Sequence, residues 1–179
     1  MEIRKTTAND IDAVMDVFAS AKCYMKANGN ASQWDDNYPG RDTLDNDIAN
    51  GNSYVFIDNG EVVGTFAFIC GEDETYRVIE NGAWRSDAPY GTVHRLASNG
   101  SVRGLSKVCF DFCTAKVSYL RADTHADNRT MQALLEAYGF QKCGTIHSFD
   151  GLALVAYDYI VRSLSLIHIS EPTRHSLIS

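Results

Sequence analysis

No stretch of the 179 residues approaches the roughly 18 consecutive apolar residues that a membrane span needs. The start, Met1-Glu2-Ile3-Arg4-Lys5, has no apolar signal core, so the expectation is a cytoplasmic protein with no membrane role. Positive charge is scarce: 16 Lys and Arg stand against 23 Asp and Glu, a formal net charge of -7. That balance argues against a general nucleic-acid or anionic-membrane binder. Cys-x-x-Cys pairs are absent. The five cysteines, Cys23, Cys70, Cys109, Cys113 and Cys143, are odd in number and scattered, a poor disulfide framework. Cys109 and Cys113 stand four apart and share a helical face. That spacing can hold a metal, but two small buried hydrophobes are the preferred reading, and no metal is expected. Internal repeats, linkers and low-complexity stretches are missing. So are the Walker spacing and the Gly-x-Gly-x-x-Gly dinucleotide pattern.

What is there is globular. Hydrophobic residues make up 45% and charged residues 22%, in a chain long enough to bury one sizeable core. Ile3-Arg4-Lys5 reads as a first strand. Thr7 and Asn9 can both cap a helix in which Ile11, Val14, Met15, Phe18 and Met25 recur at three- and four-residue steps, and Gly29 can stop it. A polar loop, Asn30 to Arg41, leads to a second short helix, Asp42 to Ala49. Ser53–Ile57 and Val62–Ile69 flank Asp58-Asn59-Gly60-Glu61, a strong hairpin signal. After a long, poorly patterned connection, Glu72 to Tyr90, come a strand at Thr92–Ser98, a glycine-bearing loop, a helix at Leu105–Lys116 and a strand at Val117–Ala122. Asp127 or Asn128 caps a helix running to Tyr138, and Lys142–His147 and Leu152–Ile160 form a last hairpin. The order predicts a mixed α/β (α+β) fold on one sheet.

The end of the chain reads differently. Leu164 to Arg174 spells Leu-Ser-Leu-Ile-His-Ile-Ser-Glu-Pro-Thr-Arg. This string resembles the conceptual translation of a sequencing-library adapter. On that reading residues 163–179 are a non-native tail, residues 1–162 are the domain, and His168 and His175 drop out as candidate ligands. The alternative is a real extension packed as a short strand or helix.

The most informative stretch is the strand, glycine loop and helix from Thr92 to Lys116. A helix N-terminus offers unpaired N–H groups and a partial positive charge, and a glycine lets a phosphate approach them. Arg103, Gly104, Leu105 and Ser106 can therefore cradle a phosphate or pyrophosphate, or can form a plain turn with Arg103 solvated.

The chain over about residues 1–160 resembles the GNAT acyltransferase superfamily, which transfers acetyl groups from acetyl-CoA to amines. The family loop reads Gln/Arg-x-x-Gly-x-Gly/Ala. Here Ser101-Val102-Arg103-Gly104-Leu105-Ser106 matches strictly only at Gly104. Asp123-Thr124-His125-Ala126-Asp127-Asn128 with a downstream Gly139-Phe140, and Gln33-Trp34 followed by Tyr38-Pro39, resemble one bacterial branch. The resemblance implies a mostly antiparallel central sheet flanked by about four helices, with acetyl-CoA as cosubstrate. It implies that Leu96, Ala97 and Ser98 pair with the pantetheine arm as an added strand. It further implies that Arg103 to Ser106 hold the pyrophosphate and that Asn128 bonds the cosubstrate near its pantetheine end. The partner is then a small-molecule or peptide amine, with no nucleic acid or membrane, and the chain a monomer or homodimer.

Transfer requires a general base for the ammonium and a donor for the departing thiolate. Many family members carry a tyrosine four residues before the glycine of Gly-Phe; here that position is Leu135. Tyr138 lies almost one turn away and reads as core or surface. The base candidates are His94, His125 and Glu80. His94 can equally be a structural histidine, His125 can instead order its loop, and a bound water can also serve. Trp34, Tyr38, Trp84 and Tyr90 can form an amine pocket by cation–π contact, with at least two of them expected simply to pack their loops. The rival functional readings are a non-catalytic acyl-CoA-binding module on the same fold and a structural or interaction protein whose loop binds no phosphate.

Overall fold

The computed structural model describes residues 1–162; the expected adapter-like tail, 163–179, lies outside the described residues. Among the described residues seven strands form one sheet: β1 (Glu2–Lys5), β2 (Ser53–Asp58), β3 (Glu61–Cys70), β4 (Gly91–Ser98), β5 (Tyr119–Thr124), β6 (Gln141–His147) and β7 (Ala153–Ile160). Their spatial order is β1-β2-β3-β4-β5-β7-β6. Each neighbouring pair is antiparallel except β4 with β5, which is parallel. Four α-helices lie among the same described residues: α1 (Ile11–Ala27), α2 (Arg41–Ala49), α3 (Leu105–Thr114) and α4 (Arg129–Tyr138). The mixed, mostly antiparallel sheet with four helices agrees with the reading of the sequence.

Alternation along the strands sorts the helices onto two faces. On β2, Val55 joins a cluster with Val14, Val17, Phe18 and Leu44 of α1 and α2. Its neighbour Phe56 points the other way, among Phe66, Phe68, Cys109, Phe110 and Leu135, which brings in α3 and α4. Each fully buried side chain of this kind contributes about 1.5–3 kcal/mol of burial free energy. Cys109 and Cys113 are free and wholly buried on the inner face of α3, as small hydrophobes. The Asn59-Gly60 hairpin forms with both residues at positive φ, 50° and 78°, the conformation that favours this pair.

Several bounds differ from expectation: α3 ends at Thr114 rather than Lys116, β5 spans Tyr119–Thr124 rather than Val117–Ala122, and two further departures have a visible cause. The first helix is entered through a 3-10 turn, Ala8–Asp10, because the Asp10 carboxylate accepts from the Thr7 N–H at 2.7 Å and from Arg4 at 2.7 and 2.9 Å. The unpatterned connection between β3 and β4 contains a 3-10 turn, Glu74–Tyr76, and a single bridge from Glu80 to Thr145 of β6. It packs through Tyr76, which is buried with Tyr90, Tyr119 and Ile146. No hydrophobic period marks it, since scattered anchors hold it, Tyr76 and Tyr90 with Ile79 and Trp84 packed beside them and Arg85 bonded to Asp158, rather than a repeating face.

Candidate active site

The site is built by a fault in the sheet. β4 and β5 pair only at Gly91–Leu120 and Thr92–Arg121. Beyond these residues the strands diverge, and Val93–Ser98 and Ala122–Thr124 line opposite walls of a cavity of about 1000 Å³. The cause lies in β4. Thr65 pairs with Ala97 and Ala67 with His94, so two residues of β4, Arg95 and Leu96, stand opposite Phe66. This is a β-bulge, which bends a strand and re-aims its side chains. Arg95 takes φ +54°, unusual for a residue with a Cβ, and is held there by Asp47 of α2 and the Tyr38 hydroxyl. β3 follows closely at Gly64, where a Cβ would come within 2.8 Å of the Ala97 carbonyl oxygen and of Leu105.

The cavity runs through the sheet plane. On one side it is lined by Phe110, Met131, Leu134 and Leu135 of α3 and α4. On the other it meets Ser20, Tyr24 and Met25 of α1, Trp34 and Tyr38 of the following loop, and the β6–β7 loop around Phe149. At one end sits the start of α3. Gly104 precedes it with φ +81° and open space where a Cβ would stand. The first helical bond runs from Val108 N–H to Gly104 O at 3.3 Å, so the N–H groups of Leu105, Ser106 and Lys107 have no acceptor within the helix. No side chain caps this end and no acidic residue lies in its first turn. Arg103 and Arg129 are exposed beside the cavity and form no ion pair among the described residues. This donor set suits a polyanionic phosphate group.

Near the fork, where β4 and β5 part, four polar side chains converge. His94 Nε2 lies 3.1 Å from Asp73 Oδ2, and its Nδ1 lies 4.0 Å from Asp123 Oδ2. The Tyr76 hydroxyl donates to the same Asp123 oxygen at 2.6 Å. Burial and the Asp123 carboxylate push the Tyr76 phenol well above its ordinary range, so it remains a neutral donor. Burial alone would raise the Asp73 carboxyl, but bonds from His94 and Thr75 prevail and hold it at about 2. Asp123 Oδ1 has no hydrogen-bond partner among the described residues, and Asp123 lines the cavity.

The residues singled out from the sequence divide as follows. His94, Leu96, Ala97, Ser98, Arg103, Gly104, Leu105, Ser106, Asn128, Trp34 and Tyr38 all line the cavity. Asn128 also caps α4, accepting from Met131 N–H at 3.0 Å, and donates to Gln33 Oε1 at 3.1 Å. His125 is not brought to the cavity wall; its Nδ1 accepts from Asp127 N–H at 3.0 Å and orders that loop. Glu80 is exposed and tied by its main chain to Thr145. Trp84 and Tyr90 lie apart from the cavity, sandwiching the Arg121 guanidinium at 4.1 Å each. Tyr138 is likewise elsewhere, donating to Asp111 at 2.7 Å, whereas Leu135 is buried in the cavity wall. Sequence reasoning assigned no role to Asp73, Tyr76, Asp123 or the Arg95–Asp47 pair. Only the Asp73–Thr75 spacing carried a local signal, that of a turn cap. Among the described residues no group of three or more His, Cys, Asp or Glu is placed to hold a metal, and no helix is long and apolar enough to cross a membrane.

No protein-family model and no curated protein sequence matches the chain. Solved structures do. An acetyltransferase of the GNAT family from Streptococcus agalactiae is 33% identical, with a TM-score of 0.82 over 90% of this chain and 96% of that one. The chain belongs to the GNAT family of acetyltransferases. A GNAT acetyltransferase from Listeria monocytogenes shares the fold at 20% identity and TM-score 0.65, covering 89% of this chain and 94% of that one. A ribosomal-protein-alanine N-acetyltransferase from Brucella melitensis does so at 22% identity and TM-score 0.55, covering 90% and 100%.

Proposed function

We propose that the protein transfers the acetyl group of acetyl-CoA to a primary amine of a small molecule or peptide, by direct attack in a ternary complex. The observation that carries this reading is the fork between β4 and β5, which opens a cavity with the uncapped start of α3 and Arg103 at one end. The phosphates of acetyl-CoA lie against the free N–H groups of α3 and against Arg103. Its pantetheine arm runs along Leu96, Ala97 and Ser98, with Asn128 alongside, and pairs with main chain that β5 leaves unpaired. The thioester then reaches the fork beside His94, within reach of an amine entering past Trp34 and Tyr38.

Asp35, Asp123, Asp127 and Asp150 line the cavity, which favours a cationic acceptor. The Brucella relative, named for a ribosomal-protein alanine, supports a peptide amine as one class of acceptor to try. His94 is the base of choice, because of the three candidates it alone lines the cavity. We infer a cytoplasmic setting, where the cosubstrate is available.

One observation favours the second reading, a non-catalytic acyl-CoA-binding module. Leu135 puts an apolar side chain where the family resemblance implies a tyrosine, so no hydroxyl serves the leaving thiolate there. A panel of primary amines assayed with acetyl-CoA for released thiol and acetylated product separates the two. Turnover with any amine that vanishes in His94→Ala supports the enzyme. Saturable acetyl-CoA binding without turnover over the whole panel supports the module.

A further inference from the structure

His94 is held between two carboxylates that differ in what else they do. Asp73 is fixed: its Oδ1 accepts from Thr75 N–H at 2.9 Å and from the Thr75 hydroxyl at 2.6 Å, and its own N–H donates to the Tyr90 hydroxyl at 2.8 Å. Only Oδ2 is left for His94, at 3.1 Å from Nε2. Asp73 does not line the cavity; His94 and Asp123 do. The Nε2 side of the imidazole therefore faces the protein, and the Nδ1 side faces Asp123, whose Oδ1 is open. An ionised carboxylate only accepts, so the nitrogen facing Asp73 must carry the hydrogen.

We propose that Asp73 is a positioning residue that keeps the hydrogen of neutral His94 on Nε2, leaving Nδ1 as the proton-accepting atom beside an ammonium docked on Asp123. This rests on the acetyltransferase reading and names its acceptor as a protonated primary amine. Asp123, steadied by the Tyr76 hydroxyl, offers Oδ1 to the substrate –NH3+. Nδ1 of His94 takes one proton, and the imidazolium so formed lies between Asp73 and Asp123. The freed lone pair attacks the thioester carbon, the C–N bond forms and the C–S bond breaks. The second proton, released from nitrogen, neutralises the departing thiolate, and His94 returns its proton to solvent. The charged groups facing His94 are Asp73 from the β3–β4 connection and Asp123 from β5. The Tyr76 ring packs on it at 6.2 Å, and Arg121 lies farther off, against Tyr90.

The substitution Asp73→Asn tests this sharply. Thr75 presents two donors to Oδ1, so the amide keeps its oxygen there and turns its NH2 toward Nε2. The imidazole hydrogen is then driven to Nδ1, the wrong atom for accepting a proton. Long-range 15N imidazole NMR on the full 179-residue chain, with the His94 signal assigned by its loss in His94→Gln, reads the tautomer directly. We expect Nε2–H in the wild type and Nδ1–H in Asp73→Asn. In turnover, kcat falls by roughly 100-fold with the KM for acetyl-CoA unchanged. Wild-type His94 protonated on Nδ1, or an unmoved tautomer and kcat in Asp73→Asn, overturns the role of Asp73 alone. A wild type that binds no acetyl-CoA overturns the acetyltransferase reading itself.

Discussion

Arg95 donates to both oxygens of Asp47, from Nε at 2.9 Å and from Nη2 at 2.7 Å, and so clamps the bulge of β4 onto α2. Both side chains are nearly buried. A residue with a Cβ at φ +54° costs on the order of 1 kcal/mol, which the two charge-assisted bonds offset. The fork depends on this bulge, since a regular β4 would continue its pairing with β5 past Thr92.

Asp47→Ala leaves the Arg95 guanidinium without its carboxylate, with only the Tyr38 hydroxyl to accept from it. The expected loss of stability is about 3–5 kcal/mol, read by urea unfolding. At denaturant concentrations where the variant is still folded, its affinity for acetyl-CoA should fall as well, because the fork loses its brace.

At the start of α3, Gly104→Asp keeps a residue type that tolerates positive φ but places a negative charge beside the free N–H groups. Acetyl-CoA affinity should fall by about tenfold or more, with a thermal midpoint lowered by only a few degrees, since positive φ strains a residue with a Cβ by about 1 kcal/mol while no Cβ clash awaits there. Equal binding by the variant would remove the helix start from the account.

Acid stability follows from Asp10 and Asp73. The bond from Arg4 comes first in holding the Asp10 carboxyl at about 2, and Asp73 is also held at about 2. Both lie below the ordinary carboxylate value, so their contribution is complete above about pH 4 and is lost as pH falls toward 2. The thermal midpoint should be level near neutrality and drop through that window. Asp10→Asn should lower the midpoint at neutral pH, costing about 1–2 kcal/mol, and make the acid drop shallower.

Tyr138→Phe should leave acetyl transfer unchanged. Its hydroxyl bonds Asp111 on α3, its ring packs on Phe110, Phe140 and Tyr159, and Tyr138 itself does not line the cavity. A fall in kcat beyond about twofold would return Tyr138 to the candidates for the thiolate's proton donor.

Nearly every element could be read from local signals. The Asn59-Gly60 turn, the Asn128 cap and the three- and four-residue steps of α1 and α3 are short-range features, and each formed where expected. The α3 start and the β4 wall of the cavity followed from a glycine loop after a strand, with the family resemblance supplying their roles. What stayed hidden depends on contacts between distant residues. Asp73 meets His94 across 21 positions, Asp47 meets Arg95 across 48, and Tyr76 meets Asp123 across 47. Nothing in the pattern around Arg95 signalled a bulge, because positive φ was adopted by an arginine and not by glycine. Trp84 and Tyr90 looked like acceptor-site aromatics from their loop, yet the cation they enclose is Arg121 of this same chain.

On the proposed function, the fork between β4 and β5 holds acetyl-CoA, with its phosphates at Arg103 and the start of α3. Titration calorimetry of acetyl-CoA into the full chain, beside Arg103→Ala, tests it most directly. The expected result is saturable one-to-one binding that Arg103→Ala weakens by about tenfold while leaving the fold intact. A folded wild-type chain that gives no binding heat at millimolar acetyl-CoA, or an Arg103→Ala variant that binds equally well, would contradict it.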